Sequence, residues 1–161
     1  MAQGDMFLKL EGIQGESQDN THKQEIQILS YGLGAANAGS GGVGQGSGIS
    51  KVQVQDIHFT KLVDNASPNL FILCCSGKHI DSAVFTIRKA GDQPQEYLKI
   101  TLTEVLVSSF NHSGQDGAGL PTESVTLNFS KIEFNYSPQS DDGSLGGANT
   151  KTYDVKANKV S

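Results

Sequence analysis

The stretch Ser67-Pro-Asn-Leu-Phe-Ile-Leu-Cys-Cys-Ser76-Gly77 carries the clearest helix signal in the chain. Ser67 can cap the free amides at a helix start, and Pro68 suits the first helical position because it has no N–H to leave unpaired there. Gly77 suits the residue after a helix, since glycine adopts the left-handed conformation without steric cost. We therefore predict one short helix at about residues 65–76.

The predicted helix is apolar over much of its surface. Leu70, Leu73 and Cys74 follow the i, i+3, i+4 spacing of a buried stripe, and Phe71 and Ile72 widen that stripe. A helix of about ten residues is not stable alone in water. We therefore expect it to be largely buried against the rest of the chain, which offers only strands.

Apolar and polar residues alternate over most of the remaining sequence, which is the period of a β-strand. Seven strands are predicted, at about residues 6–10, 22–34, 51–62, 82–89, 95–110, 123–136 and 153–157. This pattern favours a mainly β fold, an antiparallel two-sheet β-barrel or sandwich with one short lateral helix. No repeat marks a second domain, so residues 1–161 form a single predicted domain.

The inward-facing phase changes within three of the predicted strands. The first change falls between Ile28 and Leu29, the second between Val54 and Ile57, and the third near Ser130. A period-2 pattern changes face only at a bulge or where a strand passes from one sheet to another. We therefore expect long, bent strands with sheet-to-sheet corners.

The strand predicted at 95–110 carries one acidic residue in an otherwise apolar phase. Glu104 shares that phase with Leu98, Ile100, Leu102, Leu106 and Phe110. Because a buried, unpaired carboxylate is costly, we expect Glu104 to be paired or to lie at the barrel end.

Composition and charge argue against several classes of function. The net charge is −5 and no basic run occurs, so binding to nucleic-acid phosphates is not expected. We expect no Sec signal peptide, because the first residues lack a basic and an apolar region, and no segment approaches the ~20 apolar residues that span a bilayer. We expect a chain made in the cytoplasm, without membrane insertion, in which Cys74 and Cys75 stay reduced.

Motifs for catalysis or cofactor binding are not recognised in the sequence. The four histidines, His22, His58, His79 and His112, lie far apart without zinc-ligand spacing. Gly39-Ser-Gly-Gly-Val-Gly44 matches a dinucleotide fingerprint, but a strand rather than a helix is predicted after it. We therefore predict no catalytic residue, metal or cofactor. A monomeric β-barrel that binds a ligand at its mouth or at the loop 111–121 is an alternative.

Residues 32–50 form a predicted glycine-rich extended loop. The stretch 32–48 contains eight glycines among 17 residues, which makes ordering it entropically costly. Long loops in compact domains are usually functional or disordered. The most economical role for this loop is to become ordered against a neighbouring subunit, whose interface offsets that cost.

Nine stretches, in order over residues 5–136, resemble the Hcp family, the haemolysin-coregulated proteins of bacterial type VI secretion systems. They are Asp5-Met-Phe-Leu-Lys-Leu, Gly15-Glu-Ser, Val54-Gln-Asp-Ile-His-Phe-Thr-Lys61, Ser67-Pro-Asn-Leu, Cys75-Ser-Gly-Lys-His79, Thr86-Ile-Arg-Lys-Ala-Gly91, Glu96-Tyr-Leu, Leu102-Thr-Glu-Val-Leu-Val-Ser-Ser109 and Glu123-Ser-Val-Thr-Leu-Asn-Phe129. Residues 137–161 match less closely.

The resemblance implies a structural and transport protein rather than an enzyme. Its fold would be similar to that of phage tail-tube proteins, and six subunits would form a ring with a wide channel. Stacked rings would build the inner tube of the apparatus, in contact with sheath, spike (VgrG-like) and baseplate proteins. The rings would be secreted through that apparatus and would carry effector proteins in their lumen.

The resemblance also assigns expected contact residues. A family trio of aromatic, small polar and aromatic residues corresponds to Tyr31, Gly32 and Leu33, so Ser30 and Gly32 are the expected lumen or cargo contacts. Gly32 departs from the small polar residue, and cargo choice is expected to differ accordingly. The extended loop is expected to reach adjacent subunits or rings through Gly39, Ser40, Gly41, Gly42, Val43, Gly44, Gln45 and Gly46. No fused toxin domain is expected after Ser161.

Overall fold

The computed structural model describes residues 4–37, 52–89, 91 and 94–161. Twelve strands and one helix lie within these ranges. In chain order they are β1 (Asp5–Leu10), β2 (Ile26–Gln27), β3 (Ser30–Gly32), β4 (Ala35–Ala36), β5 (Gln53–Val54), β6 (Ile57–Leu62), α1 (Ser67–Ser76), β7 (Ile80–Lys89), β8 (Gln95–Ser113), β9 (Thr122–Asn128), β10 (Lys131–Tyr136), β11 (Asn149–Asp154) and β12 (Lys159–Val160).

Two antiparallel sheets share the long strand β8. The first has the order β12-β11-β10-β8-β7-β1-β2, and the second continues from the other half of β8 through β9 and β6 to β3. Leu102 of β8 pairs with Ala83 in the first sheet, whereas Val107 pairs with Leu127 in the second. The predicted mainly β, two-sheet fold with one helix is confirmed, although no continuous ladder of the described strands closes the barrel.

The chain passes from one sheet to the other where the sequence pattern changes phase. The amide of Ile28 donates to the carbonyl of Met6 in β1, whereas the amide of Leu29 donates to the carbonyl of Thr60 in β6. β9 lies in the second sheet and β10 in the first, so the strand predicted at 123–136 is two strands. The expected sheet-to-sheet corners are therefore present at both positions.

The strands predicted at 22–34 and 51–62 are broken into shorter pieces than expected, the second of them into β5 and β6. The strand predicted at 22–34 is divided into β2, β3 and β4, because these pair with three different strands. The phase change between Ile28 and Leu29 predicts that Leu29, Tyr31 and Leu33 point inward, which is wrong for Leu29 and Leu33, since they are 53% and 37% exposed. Leu29 lies at the corner between the sheets, and Leu33 lies beyond the end of β3.

Glu104 interrupts the inward-facing phase of β8. Its φ of 52° lies in the left-handed region, and this shifts the alternation, so that the following side chains point to the opposite faces from those predicted. Leu102 is buried before this point, and Val105 and Val107 are buried after it. The single inward phase predicted along this strand is therefore wrong beyond Leu102. The expected pairing of Glu104 is confirmed, because its carboxylate accepts a hydrogen bond from Lys156 at the surface.

The hydrophobic core is one cluster between the two sheets. The rings of Phe59 from β6 and Phe85 from β7 meet edge to face, with centroids 5.8 Å apart. The largest apolar side chains with almost no exposure are Leu8, Leu10, Ile26, Ile57, Phe59, Leu70, Phe85, Ile100, Leu102 and Leu127. Both sheets therefore contribute to one core, and α1 adds Leu70 to it.

The start of α1 differs from the prediction in one respect. Ala66 occupies the N-cap position and Ser67 is the first helical residue. The Ser67 hydroxyl does not cap the helix amides. It accepts a hydrogen bond from the amide of Asp64 and donates one to Glu123. The helix end is as predicted, because Gly77 adopts a left-handed φ of 68°.

The helix is much less buried than predicted. Leu70 is fully buried, but Phe71 is 52% and Ile72 59% exposed. The reason is that α1 packs through one side only, mainly on β8, and Phe71 rests edge to face on Phe110 at a centroid distance of 5.9 Å. One stripe of the helix is buried and the opposite stripe faces outward.

The glycine-rich loop predicted at 32–50 lies only partly within the described residues. Gly32 ends β3, and Ala35 and Ala36 form β4, which pairs with β5. The predicted contact residues Gly39, Ser40, Gly41, Gly42, Val43, Gly44, Gln45 and Gly46 lie outside the described residues.

Candidate functional site

Ser30 and Gly32 lie on β3 and face away from the core. Ser30 pairs with Thr60 and Gly32 with His58 of β6. Because Phe59 between them is buried, strand alternation places Thr60 and His58 on the outer face of the second sheet. The Oγ of Ser30 lies 2.6 Å from the Oγ1 of Thr60. The structure therefore brings both predicted lumen residues to one surface.

The same surface continues across β9 and the second half of β8. Thr126 pairs with His58 and Ser124 with Thr60. The Oγ1 of Thr126 lies 2.6 Å from the Oγ of Ser109. We call this surface the hydroxyl face and define it by Ser30, Gly32, His58, Thr60, Ser108, Ser109, Ser124 and Thr126. Apart from His58 and Gly32 its members are serines and threonines, and none is a lysine, arginine or carboxylate.

Asp56 is an acidic residue at one end of the hydroxyl face. Its Oδ2 accepts a hydrogen bond of 2.6 Å from the Ser108 hydroxyl. Its Oδ1 accepts one of 2.9 Å from the side-chain amide Nδ2 of Asn128. Both carboxylate oxygens are thus bound to the second sheet, and the charge is held at the end of the face.

His58 lies over Gly32 on the hydroxyl face. A Cβ atom at position 32 would be 2.2 Å from the Cε1 and 2.7 Å from the Nε2 of His58, much closer than Cβ atoms approach other atoms. Glycine therefore leaves the space that the imidazole ring occupies. The sequence alone shows that residue 32 has no side chain. It does not show that His58 fills this space, because cross-strand register decides which residue lies beside Gly32.

A buried ion pair lies on the inner side of the same strands. The Nζ of Lys61 is 2.7 Å from the Oε1 of Glu123 and 2.8 Å from the Oδ1 of Asp64. Ser67 and His112 also bond the Glu123 carboxylate, at 2.5 and 2.9 Å. Burial raises the pKa of Glu123, but the bonds from Lys61, Ser67 and His112 outweigh burial and lower that pKa below its usual value. This network ties α1 to the second sheet, and sequence analysis did not identify it.

A second charged cluster joins the first long loop to the first sheet. The Arg88 guanidinium donates to Asp5 at 3.0 Å, pairs with Asp19 and lies 4.9 Å from the centre of the Phe7 ring. The hydrogen bond from Arg88 lowers the pKa of Asp19 to about 2. The cluster anchors the loop that contains Asp19 and lies apart from the hydroxyl face.

His22 is a buried histidine of the first long loop. Its ring stacks on Phe7 with centroids 4.6 Å apart. Its nitrogens lie 2.9 Å from Glu25 and 2.5 Å from Glu96. Two carboxylates and an aromatic ring therefore hold this side chain in place, so it contributes to packing of the same loop.

An apolar groove lies between the β4–β5 pair and the strands β10, β11 and β12. It has a volume of about 520 Å³. Phe134 is 42% and Val160 is 75% exposed. We call it the apolar groove, and its apolar lining is Leu33, Ala35, Val52, Val54, Ile132, Phe134, Tyr153 and Val160. A contiguous exposed apolar surface of this kind is typical of a site that binds a ligand or another protein.

The remaining candidate chemistry is dispersed. Within residues 4–37, 52–89, 91 and 94–161, no group of three or more His, Cys, Asp or Glu side chains is arranged to hold a metal ion. Cys74 and Cys75 are free thiols. Over the same residues, no helix has both the length and the apolar character needed to cross a membrane.

Comparison with known proteins gives consistent matches. The family model described as "Type VI secretion system effector, Hcp" matches residues 7–136. The protein hcp1 of Pseudomonas aeruginosa is 49% identical over 148 residues, which is 91% of each chain. The crystal structure of Hcp1 from Salmonella typhimurium matches with 42% identity, a TM-score of 0.81 and full coverage of both chains.

A further solved structure, described as a type six secretion system protein, matches with a TM-score of 0.92 and 26% identity. It covers 99% of this chain and 100% of its own. The two-sheet architecture, the single lateral helix and the sequence matches over 130 residues agree with one another. This chain therefore belongs to the Hcp family of type VI secretion proteins.

Proposed function

We propose that this protein is a structural subunit of the type VI secretion inner tube. Six copies form a ring, and rings stack into a tube that is secreted and carries effector proteins in its lumen. The observation that carries the proposal is the pair of unlike surfaces on one domain, the apolar groove and the hydroxyl face, in a chain of the Hcp family.

The apolar groove supports a subunit interface. The edge strand β12 carries Val160, which is 75% exposed, and borders the groove. Open strand edges and exposed apolar surface promote association with another chain. A neighbouring subunit in a closed ring would cover both features, and a closed ring also prevents unlimited growth at that interface.

The hydroxyl face suits the lumen wall. Its hydroxyls bond one another, as Ser30 does with Thr60 and Ser109 with Thr126. Because these groups are already satisfied and carry no charge, a cargo protein gains little from any single contact. A wall of this kind holds cargo through many weak contacts and can release it after delivery.

The remaining parts of the proposal follow from family membership. The loop residues Gly39–Gly46 contact adjacent subunits or rings, and the tube meets sheath, spike and baseplate proteins. The protein is made in the cytoplasm, leaves through the secretion apparatus and has no enzymatic activity. Deletion of residues 39–48 is expected to leave the domain folded but to weaken ring or stack assembly.

The apolar groove also favours a second candidate, a monomeric β-barrel module that binds a small apolar ligand. A groove of about 520 Å³ is within the size range of ligand pockets. In this alternative the groove binds a ligand and not a neighbouring subunit.

The mass of the purified protein in solution distinguishes these proposals. We would measure it by light scattering after size exclusion, at low and at high protein concentration. A stable species of about six times 17.1 kDa supports the ring. A monomer at high concentration contradicts the ring as a property of the free protein and favours the ligand-binding module.

A further inference from the structure

We propose that His58 is the residue through which the hydroxyl face recognises cargo, and that it selects carboxylate groups on the cargo protein. This inference rests on the proposed function, because it takes the hydroxyl face to be the lumen wall. It deepens that function by naming a specificity-determining residue and the chemistry that this residue binds.

The steric relationship between His58 and Gly32 is the first step. The ring atoms Cε1, Nε2 and Nδ1 of His58 lie 2.2, 2.7 and 3.1 Å from the place of a Cβ at position 32. Residue 32 therefore offers no side chain to the cargo. The exposed imidazole fills that place and becomes the group that cargo meets there.

Hydrogen-bonding capacity is the second step. The hydroxyls of Ser30 and Thr60 bond each other at 2.6 Å, and those of Ser109 and Thr126 do the same. Within the described ranges, neither ring nitrogen of His58 forms a hydrogen bond. A cargo group that binds His58 therefore breaks no hydrogen bond among the described residues, whereas one that binds a paired hydroxyl must compete with its partner.

Charge is the third step. The residues beside His58 on β3 and β9, Gly32 and Thr126, are uncharged. Asp56, two positions earlier in the chain, is bound through both oxygens to Ser108 and Asn128. The His58 imidazole thus lies beside uncharged neighbours, with the nearby carboxylate of Asp56 already bonded through both oxygens, and an imidazole N–H forms its strongest hydrogen bond with an anionic oxygen. A carboxylate on the cargo fits this description.

A pair of peptide probes tests the inference. One is a fluorophore-labelled peptide of six aspartates, and the other is a serine peptide of equal length with the same label. Binding to the full-length assembled protein is measured by fluorescence anisotropy at low ionic strength, where exposed charges are least screened. We expect saturable binding of the aspartate peptide, weakened about tenfold by His58→Leu, the factor expected for one lost hydrogen bond. His79→Leu, which changes an exposed histidine outside the face, is the matched control and is expected to bind like the wild type.

A second variant tests the steric step. Gly32→Ser adds a side chain where the His58 ring now lies, so the ring must move and aspartate binding is expected to weaken as well. Equal binding of the serine peptide, no binding of either peptide, or unchanged affinity in His58→Leu would each overturn the inference. Light scattering on the same samples separates the two hypotheses. A ring whose binding does not depend on His58 overturns this inference alone, whereas a monomer contradicts the proposed function.

Discussion

The ammonium group of Lys61 lies 2.7 Å from a carboxylate oxygen of Glu123, and neither side chain is exposed to solvent. The two residues are directly opposite each other on β6 and β9. Ser67 of α1 bonds both of them, at 3.0 and 2.5 Å. The pair therefore joins two strands and the first turn of the helix at one buried point.

Removing the charge of Glu123 is expected to be costly. In Glu123→Gln, Lys61 keeps Asp64 but loses its other anionic partner, and we expect the free energy of unfolding to fall by about 3 kcal/mol, since a buried charge is left poorly compensated. Urea unfolding followed by circular dichroism measures this. Glu133→Gln, which alters a glutamate of β10 that pairs with no charged group in the described chain, is the control and should differ little from the wild type. A loss below about 1 kcal/mol in Glu123→Gln would contradict a stabilising role.

Stability in acid is expected to depend on Asp19. The pKa of Asp19 in the folded protein, about 2, lies below its ordinary value of 3.8. The ion pair with Arg88 therefore stabilises the protein fully at pH values above 3.8. The stabilisation is lost as the pH falls from about 4 towards 2. In Asp19→Asn, the urea midpoint should be lower at pH 6 and should change less across this acidic range. Asp116→Asn, in an exposed loop, provides the control. Identical pH profiles for wild type and Asp19→Asn would refute the assignment.

Two glycines are expected to respond differently to alanine. At Gly15 a Cβ would lie 2.6 Å from the backbone oxygen of Glu25, and because backbone cannot move aside cheaply we expect Gly15→Ala to cost about 2 kcal/mol or more. At Gly32 the obstacle is the ring of His58, which can rotate, so Gly32→Ala should change stability by less than about 1 kcal/mol. Thermal and urea unfolding of both variants tests the comparison, and equal losses would show that the His58 ring is as fixed as backbone.

The two sides of α1 should tolerate truncation differently. Leu70 is fully buried, and we expect Leu70→Ala to lower the free energy of unfolding by about 3 kcal/mol through lost burial and a residual cavity. Ile72 is 59% exposed, and Ile72→Ala should stay within about 0.5 kcal/mol of the wild type. Chemical denaturation of the pair measures the difference. Similar costs at both positions would indicate that the outer side of the helix is covered by another chain in solution.

A charge in the apolar groove is expected to weaken assembly without unfolding the domain. Val160→Asp places a carboxylate on β12 where the proposed neighbouring subunit would bury it, so we expect the ring to dissociate at about tenfold higher protein concentration or more. Light scattering over a dilution series gives the mass, and circular dichroism checks the fold. Leu145→Asp, at an exposed leucine outside the groove, is the control. Unchanged assembly of Val160→Asp would remove the groove from the proposed interface.

Much of the fold and part of the candidate site could be predicted from residue patterns. The period-2 alternation indicated strands, the phase change between Ile28 and Leu29 indicated a corner, and Gly77 marked the end of the only predicted helix. Ser30 and Gly32 were placed on a functional face through resemblance to the family, and the structure brings them to one surface beside Thr60 and His58.

The sequence alone determined the β class, the position of the helix and membership of the Hcp family, because alternation, helix termini and family motifs are properties of neighbouring residues. Only the tertiary structure decided that His58 stands over Gly32, that Lys61 meets Glu123 inside the protein and that half of α1 faces outward. Those features depend on which strands pair and in which register. Register joins residues far apart in the chain, and a slip of one position would exchange the inner and outer faces of a strand.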